Sequence, residues 1–201
     1  MTRQSSCPMT PQHYTIEEGK LYGGEYPGAK QPAAAKARLR ALVDIGVRTF
    51  IDLTAPEDRM ASYEELLEEL ANETGAPLRR ISLPVPDMGI PTQATMREIV
   101  SAIHQSIEEA PAVYVHCWGG IGRTGTVIGC WFRECGLDGD SALARVQHLY
   151  SSQIAKVTIF PKSPQTAEQR NYAQKNTLHH GCRMINKTGI MHHPEDDVPV
   201  P

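Results

Sequence analysis

The sequence predicts an α/β domain in which a central, largely parallel sheet is flanked by helices. Three observations carry that expectation. Short β-rich runs alternate with segments whose apolar residues recur at helical spacing. Gly and Pro stand at many of the boundaries between them. And 201 residues with 40% apolar content are enough for one compact domain with a sizeable core. The expected organisation is a loose N-terminal arm over residues 1–15, a folded domain over 16–178, and a tail over 179–201. Two His pairs, an acidic patch and a Pro-Val-Pro end give that tail no periodicity.

Each element has its own signal. Lys20-Leu21-Tyr22 reads as a short strand that runs into a Gly/Pro turn ending at Gly28. Pro32 opens a helix that places Leu39, Leu42 and Val43 on one face, and Gly46 stops it. Val47–Leu53 is a strand. Glu57–Asn72 is expected as one helix, with Met60, Tyr63, Leu66, Leu67 and Leu70 spaced at threes and fours. A second strand, Leu78–Leu83, precedes a helix over Thr92–Glu109 striped by Met96, Ile99, Val100, Ile103 and Ile107. Ala112–His116 is a compact strand that runs directly into a glycine cluster. Helices are then expected over Gly122–Cys135, Asp138–Tyr150 and Ser163–Thr177.

Composition excludes several classes. The net charge is −3 and no basic block is longer than Arg79-Arg80, which argues against a binder driven by nucleic-acid phosphates. No apolar run approaches the ~20 residues that cross a bilayer. Met1–His13 carries no apolar stretch of the signal-peptide kind, so a soluble, cytoplasmic chain without membrane partners is expected. The cysteines (Cys7, Cys117, Cys130, Cys135, Cys182) are scattered and form no Cys-x-x-Cys pair, so neither a zinc ribbon nor a thioredoxin motif is indicated. In a reducing compartment they are expected as thiols. The tail residues His179, His180, Cys182, His192 and His193 sit too close in sequence, in too irregular a segment, to be assigned a metal.

The chemistry concentrates in Val115-His116-Cys117-Trp118-Gly119-Gly120-Ile121-Gly122-Arg123-Thr124-Gly125. A Cys six residues before an Arg is weak evidence alone. With Gly120, Gly122, Thr124 and Gly125 set between a strand and a helix, it becomes specific. Glycines let the loop turn its backbone N–H groups inward, and the following helix adds its positive N-terminal end. Together they cradle a tetrahedral dianion over a sulfur, a setting that favours thiolate over thiol. The phosphate-binding positions are Trp118, Gly119, Gly120, Ile121, Gly122 and Arg123, and Arg123 can hold two oxygens bidentately. Thr124 is placed to donate its hydroxyl to the sulfur. His116 is expected to orient the loop and to favour the thiolate further. The plain alternative is a tight strand-to-helix turn around a buried, inert cysteine.

These residues resemble the protein tyrosine phosphatase superfamily, whose signature is His-Cys-x5-Arg-Ser/Thr. Val85-Pro86-Asp87-Met88-Gly89-Ile90-Pro91 resembles the mobile Trp-Pro-Asp-x-Gly-x-Pro loop of tyrosine-specific members, with Val85 in place of the tryptophan. Gln165-Thr166-Ala167-Glu168-Gln169 resembles their Gln-Thr-x-x-Gln loop. The resemblance implies a cysteine-phosphatase-like fold with a strand–P-loop–helix active site. It makes Cys117 the nucleophile, Arg123 the phosphate clamp, Asp87 the general acid, Gln165 the residue that positions the water, and Gln169 its support. A carboxylic acid on a closing loop suits the expulsion of an alkoxide or aryloxide. The chain is shorter than tyrosine-specific members and closer to the dual-specificity ones, and it has no clear Lys-Asn-Arg-Tyr-like phosphotyrosine-recognition loop. Absence of Lys or His between Cys117 and Arg123 disfavours phosphoinositides.

The expected activity is therefore a phosphoric monoester hydrolase acting on phosphotyrosine, or also phosphoserine and phosphothreonine, in a protein or peptide through a phosphocysteine intermediate. No cofactor or metal is implied, because the loop and Arg123 supply the positive potential. The alternatives are an idle phosphopeptide-binding module, a phosphatase of a non-protein phosphomonoester, and a sulfurtransferase or arsenate-handling enzyme. Asp52, Asp138 and Asp140 are expected to be structural or capping residues.

Overall fold

The structure, a computed structural model, describes residues 10–176. The expected tail lies outside these residues, as do Cys7 and Cys182. Five strands form one sheet: β1 (His13–Glu17), β2 (Leu21–Gly24), β3 (Val47–Asp52), β4 (Arg79–Ser82) and β5 (Ala112–His116). Their spatial order is β1-β2-β5-β3-β4. β2, β5, β3 and β4 run parallel, while β1 pairs antiparallel with β2. Among the described residues six α-helices complete the domain: α1 (Pro32–Asp44), α2 (Glu64–Thr74), α3 (Gln93–Glu109), α4 (Gly122–Glu134), α5 (Gly139–Gln153) and α6 (Ala167–Lys175).

The helices cover both faces of the sheet. Val113 and Val115 of β5 join a core built with α3, α4 and α5, whereas Ala112 and Tyr114 face the core made with α1 and α2. Burial on both faces explains why β5 is a continuous apolar run rather than an alternating one. α4, almost wholly buried, lies at the heart of the larger core.

Three elements differ from expectation. Residues 13–15, expected in the arm, begin β1; Tyr14 and Ile16 point into the core while their neighbours do not, a pattern of five residues too short to stand out in the sequence. α2 starts at Glu64 instead of Glu57. Pro56–Asp58 forms a single 3-10 turn, ended by Arg59 at φ +52°, and Asp58 is drawn away to Arg123. α6 starts at Ala167 instead of Ser163, because Thr166 caps it: Thr166 Oγ1 accepts from Gln169 N–H (3.0 Å) and Gln169 Oε1 accepts from Thr166 N–H (3.1 Å). Asp138 caps α5, accepting from the N–H groups of Asp140 and Ser141 at 3.0 and 2.9 Å.

The parallel strands all end on the same side of the sheet, so the loops that follow them converge there. Glu25 and Tyr26 follow β2, Asp58 follows β3, Asp87 follows β4 and Cys117 follows β5. The loop after β5 packs tightly on the end of β2. Gly120 has φ +73°, and a Cβ there would lie 2.3 Å from the Gly24 carbonyl carbon and 2.6 Å from Glu25 N. Both the left-handed backbone and the contact exclude a side chain. Gly120→Ala is therefore expected to lower stability by about 2–4 kcal/mol in urea denaturation; an unchanged midpoint would show that the loop does not depend on this approach.

Candidate active site

Cys117 sits at the end of β5 with only 3% of its surface exposed. It lines a cavity of about 560 Å³ together with Trp118, Gly119, Ile121, Gly122, Arg123, Asp87, Met88, Gln165 and Gln169. Among the described residues, none of the N–H groups of Trp118, Gly119, Gly120 and Ile121 donates to a backbone carbonyl. Four donors without a backbone partner, beside the first turn of α4, make this loop suited to an anion. Trp118 is 60% exposed, so its ring stands at the cavity rim while its carbonyl accepts from Tyr26 N–H at 2.9 Å.

Arg123, in the first turn of α4, is nearly fully buried and is held from two loops. Its Nη1 donates to Asp58 Oδ2 (2.6 Å), Val85 O (3.1 Å) and Leu53 O (3.4 Å). Its Nη2 lies 3.3 Å from Asp58 Oδ1 and 2.9 Å from Asp87 Oδ1. Burial works against the guanidinium charge, but the Asp58 hydrogen bond, Cys117 and Asp87 outweigh it, and the pKa stays above its ordinary value. Asp58 was not singled out by the sequence. Its only signal there is a carboxylate in the turn after the strand that comes to lie beside the one leading to Cys117.

The two carboxylates differ in setting. The Asp58 side chain is 5% exposed and also accepts from Ala55 N–H at 2.8 Å, so it is a fixed brace. Asp87 is about half exposed and touches Arg123 through one oxygen. Its loop is held over the cavity from both sides: Val85 N–H donates to Leu53 O (3.1 Å), and Gln169 Nε2 donates to Gly89 O (3.0 Å). Val85, where a tryptophan is expected by resemblance, is buried in the core below.

Gln169 is fully buried and lies against α4, where a Cβ on Gly122 would meet its Oε1 at 2.8 Å. Gln165 lines the cavity, and its carbonyl accepts from Arg170 Nη1 at 2.8 Å. Thr124 is fully buried, and its Oγ1 makes no hydrogen bond among the described residues, so the expected donation to the sulfur is not made in this structure.

His116 corrects a second expectation. It is caged by Tyr26, Tyr63 and Tyr114, with ring centroids 5.4–5.7 Å away, and its Nε2 is 2.7 Å from Tyr63 Oη. Burial drives its pKa down to about 4, with Asp52 and the Cys117 backbone pulling the other way and Arg80 and Arg123 adding to the fall. A neutral ring brings no positive charge to the thiol. Asp52, fully buried, accepts from Thr54 N–H (2.8 Å), Thr54 Oγ1 (2.6 Å) and Arg80 Nε (2.9 Å), a structural role as expected.

A buried cysteine under a loop of N–H groups without backbone partners, with an arginine and a half-exposed carboxylate above it on a parallel sheet, is an arrangement suited to holding a phosphate group. The model of the DSP-PTPase phosphatases of polymorphic toxin systems matches residues 23–136, and the chain belongs to that family. Over 57 residues it is 44% identical to two uncharacterized proteins of Methanocaldococcus jannaschii. That stretch covers 28% of this chain and 34% and 37% of theirs, so the match spans only about a third of those relatives. Among solved structures, the active form of Tk-PTP aligns with a TM-score of 0.59 and 22% identity, over 83% of this chain and 99% of that one. TpbA of P. aeruginosa aligns at 0.58 and 20%, over 84% and 86%. PTPMT1 in complex with PI(5)P aligns at 0.57 and 17%, over 82% and 93%. At these identities the likeness is one of fold. No described helix is long and apolar enough to cross a membrane.

Two predictions follow from this geometry. Asp58→Asn removes half of a buried ion pair and frees Arg123 to tilt; it is expected to lower stability by about 3 kcal/mol and kcat/KM by about tenfold to a hundredfold. Unchanged turnover would mean that Arg123 is oriented without Asp58. The second concerns pH. His116 has a folded-state pKa near 4 against 6.5 ordinarily, so the unfolded chain binds the extra proton between those values. Stability should fall as pH drops from about 6.5 towards 4, by up to roughly 3 kcal/mol from this group. If His116→Asn loses stability in parallel with the natural chain across that window, another group is responsible.

Proposed function

We propose that this phosphatase is cysteine-dependent and hydrolyses phosphotyrosine in proteins or peptides, with phosphoserine and phosphothreonine as further substrates, through a phosphocysteine intermediate. The observation that carries the reading is the convergence of Cys117, Arg123 and Asp87 on one cavity, with Asp87 resting on the Arg123 nitrogen that a phosphate would claim.

An arriving phosphate dianion competes with Asp87 for Arg123 Nη2. Displaced from that nitrogen, the Asp87 carboxyl is free to turn towards the leaving oxygen, which the first step needs it to protonate. The Cys117 thiolate attacks phosphorus, an S–P bond forms, and the P–O bond to the leaving group breaks. Asp87 gives its proton to the departing oxygen. Arg123 and the N–H groups of residues 118–122 hold the equatorial oxygens throughout. In the second step Gln165, supported by Gln169, places a water. Asp87 takes its proton, oxygen bonds to phosphorus, and the S–P bond breaks to return the thiolate. The Thr124 hydroxyl, without a partner at rest, is available to stabilise the sulfur as it leaves.

The test is hydrolysis of para-nitrophenyl phosphate in EDTA. Cys117→Ser should abolish turnover, and Asp87→Ala should lower kcat by about a hundredfold to ten-thousandfold. Turnover that survives Cys117→Ser would overturn the phosphocysteine route. Phosphopeptide binding without any turnover by the natural chain would make this a binding module.

A further inference from the structure

Among the described residues five large apolar side chains are exposed: Ile45, Met88, Trp118, Ile159 and Phe160. Met88, Trp118 and Phe160 line the catalytic cavity, and Ile159 immediately precedes Phe160. Single exposed apolar residues need no explanation, but a group of them gathered at one mouth from three separate loops does.

The segment that presents Ile159 and Phe160 is anchored along its backbone. Tyr150 Oη donates to Phe160 O at 2.7 Å, Gln147 Nε2 to Pro161 O at 3.0 Å, and Ser163 Oγ to Ile121 O at 2.8 Å. Phe160 N–H itself donates to Lys156 O at 2.8 Å. The segment is tied to α5 through its backbone carbonyls and to the loop after β5 through the Ser163 hydroxyl, while Ile159 remains 72% and Phe160 41% exposed. The display is fixed, which lowers the ordering cost of binding to it.

We propose that this apolar collar is the docking surface for the peptide part of the substrate, and that it takes an apolar side chain next to the phosphorylated residue. The inference rests on the phosphatase reading above. Because the collar is continuous with the cavity, whatever covers it is joined to the phosphate held below. Charge points the same way. The cations that line the cavity beside Arg123 are Arg38 and Lys156, and both pair with Glu25. Acidic flanks therefore find little unpaired positive charge there. An anionic membrane would meet the same shortage, on a chain with net charge −3.

The experiment compares kcat/KM for synthetic phosphotyrosine peptides that differ only in the flanking residues: Leu, Ala or Asp. It uses the natural chain, Ile159→Ala, Phe160→Ala and the double variant. Preference is read as a ratio within each protein, so a general loss of activity cancels. Para-nitrophenyl phosphate, which has no flanks, reports the cradle in parallel. The natural chain should prefer Leu over Asp flanks by about tenfold or more, mostly through KM. The ratio should fall to about twofold or less in the double variant. A flat preference in the natural chain, or one that survives the double substitution, overturns the docking surface, while turnover of the small substrate keeps the phosphatase reading. Phosphoinositide in vesicles hydrolysed better than every peptide overturns it in favour of a lipid. No turnover of the small substrate by the natural chain overturns both.

Discussion

A guanidinium that is buried and must stay charged organises the active end of this protein. Only 2% of Arg123 is exposed, and burial of an unpaired charge would cost several kcal/mol. The cost is offset by oxygens from two loops: Asp58 and the Leu53 carbonyl after β3, Asp87 and the Val85 carbonyl after β4. The dependence is mutual. Without Arg123 the carboxylates of Asp58 and Asp87 would repel across the cavity, and without them the helix that carries Arg123 could not enter the core with its charge intact.

The loops accept local strain to reach that cation. Arg59 and Met88, each directly after one of the two carboxylates, sit in the left-handed region at φ +52° and +57°. For residues with side chains such a backbone costs about 1–3 kcal/mol, and it persists only where neighbouring contacts over-determine it. Here Asp58 is fixed by Ala55 N–H as well as Arg123, and the Asp87 loop by Leu53 and Gln169. The result is one carboxylate that is immobilised and one that solvent reaches, an asymmetry that suits a brace and a proton carrier.

Positive charge at the sulfur is restricted to few sources. The neutral, tyrosine-caged His116 supplies none, and Glu25 pairs with the nearby Lys156 and Arg38. What remains is Arg123 with the backbone dipoles of the loop and of α4. Above them Met88, Trp118 and Phe160 add exposed apolar surface beside the paired Glu25, Arg38 and Lys156, so apolar side chains and neutralised ion pairs share the lining.

The sequence by itself determined the α/β alternation, the strand–loop–helix around Cys117 and the positions of Arg123, Asp87, Gln165 and Gln169. The alternation and the stretch from Cys117 to Arg123 are written in local spacing, in apolar periodicity and in glycines where the backbone must turn, whereas Asp87, Gln165 and Gln169 stand out only because their motifs resemble those of a known family. The Asp138 cap was legible from local spacing too. β1 was missed because five alternating residues are too few to rise above a polar arm. The helix expected from Glu57 was shortened because Asp58 is worth more bound to a buried arginine than inside a helical turn. Only the tertiary structure decided that Asp58 braces Arg123, that His116 is neutral, and that Met88, Trp118 and Phe160 share one rim. Those facts depend on burial and on which strand ends lie side by side, and the order β2-β5-β3-β4 brings together residues that the chain keeps far apart.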